Sequence, residues 1–230
     1  MGTSMIGTLL IGFGILIILS VPLAFAMALA ALFALLDAGT VPLVILPQRM
    51  FNTLNSFPLI AVPLFVLAGE LMNTGGITSR IVTFTQACVG HVRGGLGHVN
   101  VIASMLFAGV SGSATADAAG IGKVLIPSMI AEGYDEDFSV AITAASATIG
   151  PIIPPSIVMV VYGSMTNLSI GKLFLAGFIP GVLIGLVFLL ISYVFARIRN
   201  YPKHERAGWG HIRATFMAAF FPLLAPVIII

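Results

Sequence analysis

Charged side chains are scarce in this sequence. Asp, Glu, Lys and Arg together make up 8% of its 230 residues, whereas they make up roughly a quarter of an average soluble domain. A net charge of +2, without any basic cluster interleaved with aromatic residues, excludes a nucleic-acid partner. The single cysteine, Cys88, excludes an internal disulfide and a multi-cysteine metal site. The remainder is 59% hydrophobic with a mean hydropathy of +1.13, which predicts an all-α polytopic membrane protein in a lipid bilayer.

Two long apolar runs frame the sequence. Residues 5–36 form a run of about 32 residues, longer than the roughly 20 that one span needs, and Pro22 interrupts it. The run is therefore either one long kinked helix or two short ones. Residues 173–196 are a clean single span, and the basic loop over 197–214 that follows lies in the cytoplasm by the positive-inside rule.

The sides of the other loops follow from counting spans back from that basic loop. This count predicts that residues 132–137 and Arg80 share the cytoplasmic side. It places Arg93 and Lys172 on the opposite side, although the positive charge of Arg93 does not fit that assignment.

Polar and glycine-rich strings interrupt two other apolar segments. The string GVSGSATAD occupies residues 109–117, and GPIIPPS occupies residues 150–156. Non-helical backbone at membrane depth is tolerated only where it is buried in protein or lines a wet cavity. Transporters use such breaks to bind solutes and ions near the midplane. Two breaks in one chain therefore indicate a solute pathway rather than a simple anchor.

A short helix pair precedes these breaks. Residues 47–53 are predicted as an amphipathic helix, and residues 55–58 are predicted as a polar turn. The apolar run over 59–71 reaches only about 20 Å against a hydrocarbon core of about 30 Å. It is therefore predicted to form a re-entrant hairpin with its tip at 55–58. A further hydrophobic segment begins near residue 215, so we expect the sequence to represent half of a two-repeat transporter.

Four strings of this sequence also resemble a known family. They are NSFPLIAVPLFVLAGELM over 55–72, RGGL over 93–96, SMLFAGVSGSATAD over 104–117 and TIGPIIPPS over 148–156. In order and spacing they are similar to the N-terminal half of the large permease subunit of TRAP transporters, the tripartite ATP-independent periplasmic carriers. The similarity extends over essentially the whole chain.

The resemblance implies an inverted-repeat, elevator-type secondary transporter in a bacterial or archaeal inner membrane. A sodium gradient would drive uptake without any other cofactor, a periplasmic binding protein would deliver an organic acid, and a small permease subunit would stiffen the scaffold. The predicted segments are scaffold helices over 1–46, the amphipathic helix and hairpin over 47–72, transport-domain helices with two breaks over 73–168, a scaffold helix over 169–196, the basic loop over 197–214, and the start of a second repeat over 215–230.

Candidate sodium ligands lie at the first break and at the predicted hairpin tip. Sodium is a hard cation that takes oxygen ligands, and the break and tip offer such oxygens on Asn55, Ser56, Ser111, Gly112, Ser113 and Asp117. A close small-residue helix crossing is the alternative for residues 111–113. Helix capping is the alternative for Asn55, Ser56 and Asp117.

Candidate substrate contacts lie at the second break. They are Thr148, Pro154, Pro155 and Ser156. The prolines lack an N–H and so hold the break open, while the two hydroxyls flank it. The leading function is ion-coupled transport of a small organic acid such as a C4-dicarboxylate or sialic acid. A passive channel and another ion-coupled symporter of the same superfamily are the alternatives. An intramembrane enzyme is disfavoured because no histidine accompanies the serines at matching depth.

Overall fold

The computed structural model describes residues 2–55 and 57–229, and the side chains of residues 5–55 and 57–224. These residues contain eleven α-helices, one 3-10 turn and no strand. The helices are α1 (Gly2–Ile18), α2 (Leu23–Ala38), α3 (Ile45–Leu54), α4 (Ala61–Thr74), α5 (Ile77–Val89), α6 (Gly95–Ser111), α7 (Ala114–Ala131), α8 (Glu136–Ala147), α9 (Ile157–Thr166), α10 (Ile170–Ile198) and α11 (Trp209–Ile229), and the 3-10 turn is Phe57–Ile60. The chain divides into two compact units, residues 1–56 and residues 57–230.

The first unit contains a pair of packed helices in place of one long kinked helix. α1 ends at Ile18 and α2 begins at Leu23. Between them Ser20 has a left-handed φ of 60°, and Pro22 is the N-cap of α2. The two helices contact each other along their length, and α2 buries a face of small side chains at Ala26, Ala30 and Ala34. The long apolar run therefore forms two short helices.

Helix α6 is the centre of the second unit. Fourteen of its seventeen residues are buried, and it contacts α4, α5, α7, α8, α10 and α11. Leu96, Val99 and Phe107 are at most 1% exposed. They pack with Ile121 and Leu125 of α7 in one hydrophobic cluster. Such complete burial explains why the segment is almost uniformly apolar.

Helices α6 and α7 form an antiparallel hairpin. Its base is closed by the Leu96 N–H, which donates to the Tyr134 hydroxyl at 3.2 Å. One turn further toward the tip, the Asn100 amide lies 3.8 Å from the Met129 sulfur. At its tip, two residues, Gly112 and Ser113, separate the helices. The first predicted break is therefore present, and the chain reverses there instead of continuing across.

This reversal corrects the predicted side of Arg93. Because α6 and α7 begin and end at the same end of the unit, the loops before and after them lie together. The Gly94 N–H donates to the Pro202 carbonyl at 3.0 Å, and Arg93 shares a cavity with Arg197 and Lys203. The prediction that Arg93 lies opposite the basic loop is wrong, and its charge now agrees with the positive-inside rule.

A charged network holds the base of the hairpin. Arg199, just after α10, contacts Asp135 at 2.7 Å and Asp137 at 3.0 Å. The Tyr201 hydroxyl donates to Asp135 at 2.6 Å. This hydrogen bond from Tyr201, followed by those from Arg199, lowers the pKa of Asp135 below its ordinary value of 3.8. Burial raises the pKa of Tyr134, whose ring is 4.3 Å from that of Tyr201, to about 12.

Helices α4 and α5 follow the hairpin from its tip to its base. An added Cβ at Gly69 would lie 3.6 Å from the Ser111 Cα, and one at Gly120 would lie 3.1 Å from the Asn73 amide oxygen. At the base, Gly90 is packed against Gly95. The segment over 59–71 thus lies in the 3-10 turn and α4, and α5 continues from there along the hairpin to its base. The predicted re-entrant hairpin with a tip at 55–58 stays a prediction.

Helix α10 lines the hairpin and the second break with a face of small residues. Gly177 packs against Met159 and the Ile152 carbonyl, Gly181 against Ile153, and Gly185 against Met105. This close packing leaves no room for larger side chains at the three glycines. The assignment of residues 169–196 to a scaffold concerns motion and stays a prediction. Helix α11 begins at Trp209, within the segment predicted as a basic loop.

Two helical segments among the described residues are long and apolar enough to cross a membrane, Phe57–Thr74 and Ile170–Ile198. Shorter apolar helices include α1, α2, α6 and α9. α10 has 29 residues, which is about 43 Å at 1.5 Å per residue and exceeds a core of about 30 Å.

Candidate functional site

The two breaks meet at the tip of the hairpin. Gly112 ends α6 with φ +60°, a conformation that favours glycine. A Cβ at this position would collide with the Pro155 carbonyl oxygen of the second break. The Ile157 N–H, in the first turn of α9, points at the Gly112 carbonyl at 3.5 Å. The structure therefore brings together two strings that lie about forty residues apart.

Serine side chains organise the first break. Ser113 has extended backbone and caps α7, and its hydroxyl accepts the Ala116 N–H at 3.5 Å. The Ser113 N–H donates to the Ser111 hydroxyl oxygen at 3.3 Å. The Ser113 hydroxyl also lies 3.0 Å from that of Thr115. Capping accounts for Ser113 on its own, so the structure gives it a structural role that does not require an ion.

Asp117 is the exceptional side chain of the first break. It is fully buried in the first turn of α7, and the Ser111 hydroxyl donates to one of its oxygens. Among the described residues, its other oxygen, Oδ2, is buried without a hydrogen-bond partner. A buried carboxylate requires a compensating charge or a proton. The helix dipole supplies at most about 2 kcal/mol in favourable partly buried geometries, which is less than the several kcal/mol that burial of an ion costs.

Glycine in the second break makes room for this carboxylate. A Cβ at Gly150 would collide with Oδ2 of Asp117. The unpartnered oxygen therefore faces the backbone of the second break directly. A small cation at this point would find the oxygen of Asp117 together with nearby backbone.

The second break extends over residues 148–156, between α8 and α9. Ser156 caps α9, accepting the Met159 N–H at 3.2 Å and donating to the Pro151 carbonyl at 2.5 Å. Pro154 and Pro155 are buried and joined by a cis peptide bond. Thr148 is exposed, and its hydroxyl donates to the carbonyl of Ala145 in its own helix. The four predicted substrate residues thus share one segment, and of these four only Thr148 is exposed.

The two predicted tip residues of the earlier hairpin belong to the other unit. Asn55 is exposed and is the C-cap of α3, with its N–H donating to the Phe51 carbonyl at 2.9 Å. It belongs to the unit of residues 1–56, and Ser56 lies outside the described residues. The N-cap of α4 is Ile60, without a side-chain hydrogen bond. The alternative that Asn55 and Ser56 cap the helical segment stays a prediction.

Sequence reasoning missed a buried polar ladder between α6 and α8. Asn100 donates to the Thr143 hydroxyl at 2.7 Å and accepts from the Ser146 hydroxyl at 3.0 Å. Ser104, one turn further toward the tip, lies 2.9 Å from Ser146. All four residues are at most 3% exposed. The sequence pattern that could have predicted this ladder is the i, i+4 spacing of the two polar residues in α6 and the i, i+3 spacing of the two in α8. Polar residues inside apolar runs at membrane depth require partners.

Among the residues that the structure describes, no group of three or more His, Cys, Asp or Glu side chains is placed to hold a metal ion. Any cation at the tip would therefore be bound mainly by hydroxyl and carbonyl oxygens, with Asp117 as the one carboxylate. Such a donor set suits a hard, singly charged cation better than a divalent one that needs several carboxylates.

Comparison with known proteins identifies the family. The family model described as "Tripartite ATP-independent periplasmic transporter, DctM component" matches residues 10–230. This chain belongs to the DctM family. The predicted resemblance is thus confirmed, and with it the membrane setting and a role in transport.

Several curated relatives are similar to this DctM-family chain. The sialic acid TRAP transporter permease protein SiaT of Haemophilus influenzae is 50% identical over 80% of this chain and 30% of its own length. The sialic acid TRAP transporter large permease protein SiaM of Vibrio cholerae is 44% identical over 94% of this chain and 50% of its own length. The C4-dicarboxylate TRAP transporter large permease protein DctM of Vibrio cholerae is 39% identical over the whole chain and 50% of its own length.

The chain thus spans about half the length, or less, of these curated relatives. Their names describe transporter permeases, which points to a transporter rather than an enzyme. The substrates in the names of such relatives vary, and include 2,3-diketo-L-gulonate and isethionate as well as sialic acid and C4-dicarboxylates.

Proposed function

We propose that this chain contributes to the large transmembrane subunit of a sodium-coupled secondary transporter in the inner membrane of a bacterium or archaeon. The transporter imports a small organic acid that a periplasmic binding protein delivers. Both the family and the breaks at membrane depth support this proposal.

The observation that carries the sodium coupling is the Asp117 carboxylate. Its oxygen Oδ2 is buried without a partner against Gly150, while Ser111 occupies the other oxygen. A sodium ion next to Oδ2 would neutralise the buried charge. It would be coordinated by further oxygens from residues 111–113 and from the second break. Release of the ion would leave the charge uncompensated, so ion binding would bias the conformation of the two breaks.

The substrate is proposed to bind near the second break. The relatives carry names of organic anions, and the N-terminal end of a helix attracts negative charge. α9 begins at this break, with Ser156 as its cap and Thr148 exposed at the other end of the loop. Pro154 and Pro155, without N–H groups, keep this loop from closing into a helix. We propose that these residues line one side of the substrate site.

Movement of the site is proposed to follow the elevator pattern, with the two breaks carried together as one body. The contacts of Gly112 with Pro155 and of Gly150 with Asp117 support a common movement of the breaks, because packed elements move as rigid bodies. A small permease subunit is proposed to hold the scaffold in place.

The test is sodium-dependent uptake by the full-length transporter, reconstituted with its partner subunit and binding protein, after Asp117→Asn. Asparagine keeps the shape of the side chain and removes its charge. We expect the sodium concentration for half-maximal uptake to rise at least about tenfold, taking the loss of one charged ligand to cost at least as much as the loss of a hydrogen bond to a charged group, about 1.5–3 kcal/mol. The matched control is Asp137→Asn at the base, which should leave this concentration unchanged.

Different results would favour other mechanisms. An unchanged sodium dependence in Asp117→Asn would remove this carboxylate from the site. Uptake that follows a proton gradient without sodium would indicate another ion-coupled symporter. Uptake that does not saturate with substrate and needs no ion gradient would indicate a passive channel.

A further inference from the structure

A cationic cavity lies at the base of the hairpin, far from the two breaks. Its volume is about 800 Å³. Arg93 comes from the turn between α5 and α6, Arg197 from the last turn of α10, and Lys203 and Arg206 from the segment that follows. Glu205 is the one acidic residue in its lining. The cavity therefore collects four cations from three parts of the chain.

No ion pair neutralises these cations within the part of the chain that the structure describes. Among the described residues, the ion pairs at this end join Arg199 to Asp135 and Asp137, and His204 to Glu132. All four cavity cations are exposed, and Arg197 is held over the ring of Tyr193 at 5.7 Å. Four unpaired cations in one cavity create a strong local preference for an anion.

The position of the cavity selects the kind of anion. α10 is longer than the hydrocarbon core is thick, so its last turns lie at the level of the lipid headgroups. Beside Arg197, the same turns present an apolar stripe of Leu190, Val194 and Ile198, which are 63%, 44% and 71% exposed. A ligand that fits both features has an anionic head and long apolar chains.

We propose that this cavity binds the phosphate headgroup of an anionic phospholipid, with its acyl chains along the Leu190, Val194 and Ile198 stripe. The guanidinium groups of Arg93 and Arg197 form charge-assisted hydrogen bonds to the phosphate, and Lys203 and Arg206 add charge. The lipid would join the α5–α6 turn to the end of α10, because residues on both contribute to the cavity.

The test is native mass spectrometry of the purified, delipidated chain in detergent, titrated with phosphatidylglycerol or with phosphatidylcholine of the same acyl chains. We expect phosphatidylglycerol to bind at least about tenfold more tightly. The double variant Arg197→Gln/Lys203→Gln should weaken that binding about 25-fold, since each cation near a membrane surface contributes about 1 kcal/mol, or about fivefold.

Three controls make the result specific. Lys172→Gln/Arg49→Gln removes two exposed cations outside the cavity and should leave binding unchanged, and Arg197→Lys, which keeps the charge, should retain most of it. The thermal unfolding midpoint of each variant checks folding. If the double variant fails to fold, two other measurements test the proposal. They are the comparison of the two lipids and the single variant Arg206→Gln, which should bind phosphatidylglycerol about fivefold more weakly.

Other outcomes would overturn the proposal. Equal binding of phosphatidylcholine and phosphatidylglycerol would show that the headgroup charge is not recognised. Full binding by the double variant would place the lipid elsewhere. Displacement of the lipid by millimolar inorganic phosphate would identify a site for soluble phosphate compounds instead of a lipid.

Discussion

The tip and the base of the α6–α7 hairpin treat their charged groups in opposite ways. At the tip, Asp117 is fully buried and one of its oxygens has no partner among the described residues. At the base, Asp135 and Asp137 are about half exposed or more, and both are bound by Arg199. The carboxylates at the base are therefore satisfied by the fold and by water, while the one at the tip is not.

This contrast separates the polar groups that the fold satisfies from the carboxylate for which an ion is proposed. Exposed ion pairs such as those of Arg199 contribute little to stability, because water and salt screen them. A buried and unpartnered carboxylate costs considerably more, so the surrounding structure must compensate for it. Such a cost is typical of ion and solute pathways in membrane proteins. The tip is therefore where a ligand would change the free energy of the protein most.

Among substitutions that test this difference between tip and base, Gly112→Ala is expected to have the largest effect on the free energy of unfolding. The new Cβ meets the Pro155 carbonyl oxygen, and the positive φ adds strain. We expect the free energy of unfolding to fall by about 3 kcal/mol or more, measured in detergent with denaturant or heat. The matched control is Gly133→Ala, where φ is +87° but nothing lies within 4 Å. It should lose only the conformational part, about 1–2 kcal/mol, and equal losses in the two variants would show that the two breaks are not in close contact.

A smaller effect is expected halfway between tip and base, in the ladder between α6 and α8. Asn100→Ala removes the partner of Thr143 and Ser146 and should lower the free energy of unfolding by about 2–3 kcal/mol, because buried polar groups are left unsatisfied. Combining it with Ser146→Ala should cost less than the sum of the two single changes. Strict additivity in this double-mutant cycle would contradict a shared network.

The smallest effect is expected at the base, and it depends on pH. The pKa of Asp135 is lowered in the folded protein, so its stabilising contribution is present above the ordinary value of 3.8 and is lost as pH falls below it. Unfolding midpoints measured from about pH 6 to pH 3 should show this loss. In Asp135→Asn, the unfolding midpoint should fall less steeply as the pH is lowered, and it should change little at neutral pH. A large drop of the unfolding midpoint of this variant at neutral pH would show that stability depends more on the base of the hairpin than on its tip.

Local structure was more predictable from the sequence than chain direction. Both breaks lie where glycine, serine and proline interrupt apolar runs, because these residues disfavour a continuous helix whatever surrounds them. The reversal at Gly112 was not predictable in the same way. A two-residue break is compatible with a kink or with a full turn, and only the packing of Leu96 against Tyr134 and of Gly112 against Pro155 decides between them.

Only part of the candidate site was predicted, because polar residues inside an apolar run can be recognised from the sequence, whereas contacts between distant segments cannot. Ser111 and Asp117 were identified as polar residues at depth, and the structure joins them directly. The role of Gly150 follows only from its contact with Asp117, since a glycine carries no chemical signal of its own. Asn100 and Thr143 were missed because their pairing joins two different helices, at positions 43 residues apart in sequence.

The return of α7 to the end where α6 began also constrains the order of assembly during synthesis. When α6 leaves the ribosome, its polar end at Ser111 has neither Asp117 nor the second break to contact. The Gly112 carbonyl finds the Ile157 N–H only after α8 has been made. Packing at the tip of α6 is therefore completed only after α7, α8 and the second break have all been made.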